Sequence, residues 1–126
     1  MQDKKITLDD FFVGRSVTPI NSKDDVKRNG EHYLYVGSNW CGHSQLGTAH
    51  FSEACQTDNL DGEPRECYGL DLAKDGGHEL AQELGLPDVR GVPALFKYNG
   101  EKYDLIASGR RMSHQYADLF NESEGL

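Results

Sequence analysis

The 126-residue chain is poor in cysteine, short of positive charge and without a long apolar run. Three cysteines are too few, and odd in number, for the disulfide framework of a small secreted domain. A reducing, cytoplasmic setting is therefore expected, with Cys55 and Cys67 packed in the core as small hydrophobes. Whether those two are bridged is a matter of geometry that spacing does not answer. Lys and Arg number 13 against 21 Asp and Glu, a formal net charge of −8. That balance speaks against nucleic acid or an anionic membrane as partner, because both need clustered cations. No stretch approaches the roughly 20 apolar residues of a membrane span. The start, Met1-Gln2-Asp3-Lys4-Lys5, runs into Thr7-Leu8-Asp9-Asp10 without the apolar centre of a signal peptide. The five histidines show no paired ligand spacing with the cysteines, so neither a metal site nor a cofactor is expected. Repeats, low-complexity tracts and linkers are missing as well. The length then implies a single domain over residues 1–126, large enough to bury a core.

What is present reads as alternating strands and helices. Val17 to Ile20 suits a short edge strand, where Pro19 is tolerated. Asn21-Ser22 before Asp24-Asp25 reads as a capped helix start, with Asn29-Gly30 as its stop. Tyr33-Leu34-Tyr35-Val36 is a dense β-former run with little alternation, the pattern of a strand covered on both faces. Residues 44–57 read as a helix with Gly47, Phe51, Ala54 and Cys55 inward and Gln45, Thr48, Ser52, Glu53 and Gln56 outward. Cys67 to Leu72 is a second central strand, and Glu79 to Leu84 a short helix. Ala94 to Tyr98 and Glu101 to Ser108 are strands joined at Asn99-Gly100, a strong two-residue hairpin signal. Gly109 ends the second of them. Ser113 to Phe120 is a closing amphipathic helix with Tyr116, Leu119 and Phe120 inward. The order predicts an α/β fold with a central mixed β-sheet and helices on both faces.

Trp40-Cys41-Gly42-His43-Ser44 carries the chemistry. It follows a strand and opens a helix, where exposed amides and the helix dipole stabilise an anion. A free cysteine, with a pKa of about 8.5, is only about 3% thiolate at pH 7. Lowering it by roughly 1.5 units makes the thiolate about half the population, at some loss of nucleophilicity. His43 can add charge or a hydrogen bond. Val89-Arg90-Gly91-Val92-Pro93 then precedes the hairpin Phe96-Lys97-Tyr98-Asn99-Gly100-Glu101, with Gly109 after it. With these motifs in this order, the chain resembles the thioredoxin family over about residues 17–122. The Cys-Gly-His start is closest to protein disulfide isomerases, whose sites read Cys-Gly-His-Cys.

The resemblance implies a thioredoxin fold and protein disulfide reductase or isomerase-like activity. It implies Cys41 as nucleophile, Ser44 at the resolving position and His43 as a tuning residue. Trp40, Gly42, Gly91, Val92, Pro93 and Gly109 would line a groove for an extended peptide, with Pro93 as the family's cis-proline. Partners would be proteins with disulfides or thiols, with glutathione or a thioredoxin reductase-type enzyme as reductant. Three positions depart from the family. Ser44 replaces a thiol with a hydroxyl, which has no accessible anion near neutral pH. Tyr35 stands where thioredoxins carry a buried Asp and disulfide isomerases a Glu, and Cys67 aligns with a family lysine. Mixed disulfides at Cys41 would therefore wait for an outside thiol. Two origins fit Ser44: a natural single-thiol site, or a serine placed for a resolving cysteine to trap intermediates. A redox-silent peptide-binding module is the alternative from another class. A role like that of monothiol glutaredoxins, whose motif is Cys-Gly-Phe-Ser, is disfavoured because Trp40 and Gly91-Val92-Pro93 resemble thioredoxin more.

Overall fold

The run around Tyr33 forms the middle of a five-stranded sheet. In the computed structural model, residues 8, 16–26, 30–39, 41–57, 60, 62–87 and 91–125 are described. The strands are β1 (Thr18–Pro19), β2 (His32–Gly37), β3 (Cys67–Asp71), β4 (Ala94–Tyr98) and β5 (Tyr103–Ser108). The helices are α1 (Gly42–Cys55), α2 (Gly77–Glu83) and α3 (Ser113–Glu124). Strand order is β1-β3-β2-β4-β5. β3 runs parallel to β1 and β2, while β4 pairs antiparallel with both β2 and β5, so the sheet is mixed.

Every residue of β2 is buried. Successive side chains go to opposite faces. Tyr33 and Tyr35 join Phe51, Cys55, Tyr116 and Phe120 in the core beneath α1 and α3. Leu34 and Val36 join Leu70, Leu80, Leu84 and Phe96 in the core beneath α2. This double cover is why the run lacks alternation.

Four local expectations change. Ser22 does cap a turn, accepting from the Asp24 N–H at 3.0 Å, but it is one 3-10 turn over Lys23–Asp25. The backbone is extended again at Val26, and Asn29 lies outside the described residues. In the hairpin the two central residues are Gly100 and Glu101. Asn99 brackets them, donating its N–H to the Lys102 carbonyl at 3.1 Å and accepting from Glu101 and Lys102 on its side-chain oxygen. That self-bonding shifts the turn by one residue, and β5 starts at Tyr103. Thr48 and Ser52 are buried in α1 although they are polar. The helix is covered by the sheet and also by α3, and Thr48 meets its own need by donating to the Gln45 carbonyl at 2.6 Å. Finally, Cys55 and Cys67 are core residues but not free thiols: they form a disulfide between the end of α1 and the start of β3. Packing α1 on the sheet brings their Cα atoms to 6.4 Å, within bridging range.

Candidate active site

The site is assembled where β2 hands over to α1. Cys41 is the N-cap of α1, with extended backbone; its N–H donates to the Ser38 carbonyl at 3.0 Å and its own carbonyl accepts from Gln45 at 3.1 Å. The approach to it is held by Asp71 at the end of β3. This fully buried carboxylate accepts from the N–H groups of Leu8 at 2.8 Å, Ala73 at 2.9 Å and Asn39 at 3.2 Å. The Gln45 side-chain amide donates to the Asn39 carbonyl from the helix side. Asp71 escaped the sequence reading; its signal was an acid ending an otherwise unbroken core strand.

Cys41 is a free cysteine and partly exposed. The Ser44 backbone N–H holds its thiol pKa below the ordinary value; slight burial opposes this, while the Ser44 hydroxyl and the His43 N–H assist. His43 is exposed on the first turn, and its backbone N–H is the part of it that helps to lower the Cys41 pKa. Ser44 is fully buried and faces β2: a Cβ on Gly37 would lie 3.0 Å from its Cβ and Oγ. Its hydroxyl makes no regular hydrogen bond, yet lies near enough to Cys41 to favour the thiolate.

Beneath this turn lies Tyr35. Its hydroxyl donates to the Ser44 carbonyl at 2.6 Å, and its ring stacks on Phe51 with centroids 5.1 Å apart. Burial raises its pKa far above the ordinary phenol range, so it stays protonated. Gly47 makes the room: a Cβ there would sit 2.4 Å from the Tyr35 hydroxyl.

Of the other expected groove residues, Pro93 approaches α1 at Gly47. The Val92–Pro93 peptide is cis, Pro93 is buried, and its Cγ would be 3.6 Å from a Cβ on Gly47. The Pro93 carbonyl accepts from the Gly109 N–H at 2.8 Å, and Gly109 has the positive φ of 87° that glycine permits. Val92 is half-buried and Gly91 exposed. Neither Gly42 nor Gly91 is required for space, since a Cβ at either would meet nothing within 4 Å. Trp40, Val89 and Arg90 lie outside the described residues. Among the described residues no cluster of three or more His, Cys, Asp or Glu is placed to hold a metal ion. No helix among them is long and apolar enough to cross a membrane.

A mixed sheet in this order, with helices on both faces and a cysteine at the N-terminus of the helix after β2, defines the thioredoxin fold. Solved structures agree on it. The thioredoxin of Malassezia sympodialis is 22% identical, over 89% of this chain and 93% of that one, with a TM-score of 0.65. Thioredoxin f2, solved in complex with ferredoxin:thioredoxin reductase, is 22% identical over 90% of this chain and 97% of its own, with a TM-score of 0.63. Human ERp44 is 18% identical with a TM-score of 0.65; the match takes in 86% of this chain and 30% of that longer one. No protein-family model matches the sequence, and no curated protein does so either. At these identities the likeness establishes the thioredoxin fold.

Proposed function

We propose that the chain performs thiol–disulfide exchange through one nucleophile, Cys41. The observation that carries this is a free, partly exposed thiol, its pKa lowered by the Ser44 N–H, at the start of a helix in a thioredoxin fold. The Cys41 thiolate attacks one sulfur of a protein disulfide. The Cys41–target S–S bond forms, the target's own S–S bond breaks, and the departing thiolate takes a proton from water. Gly91, Val92, Pro93 and Gly109 line the groove that presents the target, with Gly42 at its rim. Ser44 supplies no second sulfur. An outside thiol, with glutathione as the type, then attacks the mixed disulfide and Cys41 leaves as a thiolate. Thioredoxin f2 is seen bound to a reductase. A reductase acts on a disulfide within its partner's site, and Cys41 with Ser44 forms none. A small thiol is thus favoured over a reductase as the recycling partner.

Incubation with a peptide carrying a glutathione-capped cysteine tests this by mass spectrometry. A Cys41 adduct should form, vanish in Cys41→Ala, and turn over in proportion to added glutathione. Capture of a peptide that persists unchanged in Cys41→Ala would instead establish a binding module.

A further inference from the structure

Arg110 and Arg111 follow Gly109, and the exchange step leaves both unused. We infer that the Arg111 guanidinium, folded back onto Gly109, makes the groove selective for targets that carry an Asp or Glu near the disulfide cysteine. It rests on the exchange reading above and names the class of target which that reading leaves open.

The guanidinium is anchored at one end. Arg111 Nη1 donates to the Gly109 carbonyl at 3.3 Å and to the Arg110 carbonyl at 3.4 Å. It occupies the side of Gly109 where a side chain would stand, since a Cβ there would lie 3.3 Å from Nη1. Gly109 is in turn tied to Pro93, whose carbonyl accepts its N–H at 2.8 Å, and Pro93 approaches α1 at Gly47. Behind the loop, burial raises the Tyr116 pKa while the Arg111 N–H and charge oppose it, so Arg111 lies beside the core under α1.

The other end of the guanidinium is open. Arginine carries five N–H donors in a fixed fork, two of them on Nη1. The Nε and Nη2 donors form an edge that grips a carboxylate at two points, and they have no partner among the described residues. Neither Arg111 nor the exposed Arg110 pairs with a carboxylate among those residues, whereas Arg65, Lys97 and Lys102 each do. Glu53, which reaches this end of α3 from α1, is taken by the Ser113 hydroxyl at 3.0 Å.

The net charge of −8 works the other way, since by itself it favours a basic target. At physiological ionic strength, however, fields between exposed charges fade over about 8 Å. A segment seated in the groove therefore responds to the guanidinium it touches more than to distant carboxylates. Gly47 stands six residues after Cys41, about 9 Å along the helix. An extended segment rises about 3.3 Å per residue, which puts the matching acid about three residues from the target cysteine.

The test uses peptides whose single cysteine is capped by a neutral 2-thiopyridyl disulfide. The Cys41 thiolate bonds to the peptide sulfur, the peptide–thiopyridyl S–S bond breaks, and the departing thiolate takes a proton from water to give thiopyridone, read by its absorbance. Three peptides differ only in holding Asp, Asn or Lys about three residues to either side of the cysteine. Rates are compared as ratios between peptides on one protein, so a change in the reactivity of Cys41 itself cancels. The starting protein should take the Asp peptide about threefold to tenfold faster than the Asn peptide. Arg111→Gln should bring that ratio to about one, and Arg111→Glu should turn the preference toward Lys. Arg111→Lys, which keeps the charge and loses the fork, should retain only part of it. Equal rates for the Asp and Asn peptides overturn the inference, as does a Lys peptide that reacts fastest with the starting protein. An Asp preference unchanged in Arg111→Gln overturns it too; if that variant does not fold, an unchanged preference in Arg111→Lys does the same. Failure of all three peptides, the Asn one included, to modify Cys41 would instead remove the exchange reading itself.

Discussion

At the scale of the residue, space under the first turns of α1 is set by Gly47. Alanine is the better helix former by about 1 kcal/mol. At this position its Cβ would lie 2.4 Å from the Tyr35 hydroxyl, inside any tolerable contact. Overpacking costs about 1–3 kcal/mol, so Gly47→Ala is expected to lower stability in urea despite its propensity. Removing the hydroxyl leaves the ring carbon 3.4 Å away, an ordinary contact. Gly47→Ala with Tyr35→Phe should therefore be more stable than Gly47→Ala alone, and a double-mutant cycle would show strong coupling. A cycle with additive effects would disprove the clash. Cys41 gives the second prediction. Its folded-state pKa is lowered, so folding favours the thiolate. The stabilisation is complete above the unfolded thiol's midpoint and is lost as pH falls through the folded one. Alkylation by iodoacetamide should have a midpoint below that of a free thiol. Ser44→Ala removes the hydroxyl but keeps the N–H, so the midpoint should rise only part of the way back.

Between elements, the end of α3 is tied to the segment before β3. Arg65, its side chain 2% exposed, makes a two-point pair with Glu124 at 2.9 and 3.0 Å and lies over the Phe120 ring at 4.9 Å. Its remaining donors reach Asn121 and Thr57, and the Tyr33 hydroxyl donates to Glu124 at 2.7 Å. Burial pushes the Glu124 carboxyl up, but Arg65 and Tyr33 outweigh it and hold the pKa below the usual value. The pair's contribution is thus present above the ordinary carboxyl range and fades as pH falls through the folded midpoint. Arg65→Met leaves a mostly buried carboxylate unpaired, and about 3 kcal/mol or more should be lost in denaturant unfolding. Arg65→Met with Glu124→Leu should recover most of that. This network also explains why α3 runs on to Glu124 when apolar periodicity stopped at Phe120. Asn121, Ser123 and Glu124 have no helical hydrophobic signal, but their partners lie far away in sequence. Thr48 and Ser52 misled in the same way, because polarity reports exposure only where no second helix covers the face.

In the molecule as a whole, the Cys55–Cys67 disulfide joins the end of α1 to the sheet, while Cys41 opens the same helix. The bridge closes a loop of 12 residues in sequence separation, for which chain entropy gives about 3 kcal/mol. Unfolding with and without a reductant should differ by roughly 2–3 kcal/mol. In a Cys41→Ala background, the reduced protein should titrate two thiols and the oxidised one none. A protein that reads two thiols after purification under air would show the bridge to be unformed. In a reducing compartment the same pair would be two buried thiols, and the whole domain correspondingly less stable. The strand and helix order, the two-sided cover of β2 and the placement of Cys41 at a helix start are all local or periodic properties. They follow from side-chain alternation, from propensity and from the order of motifs along the chain, so they were legible in the residues alone. The Cys55–Cys67 bridge, the three N–H groups gathered by Asp71 and the matching of Tyr35 to Gly47 were not. Each depends on distances across the sheet and between helix and strand, which no spacing along a chain encodes and which exist only once α1 is packed down on β2 and β3.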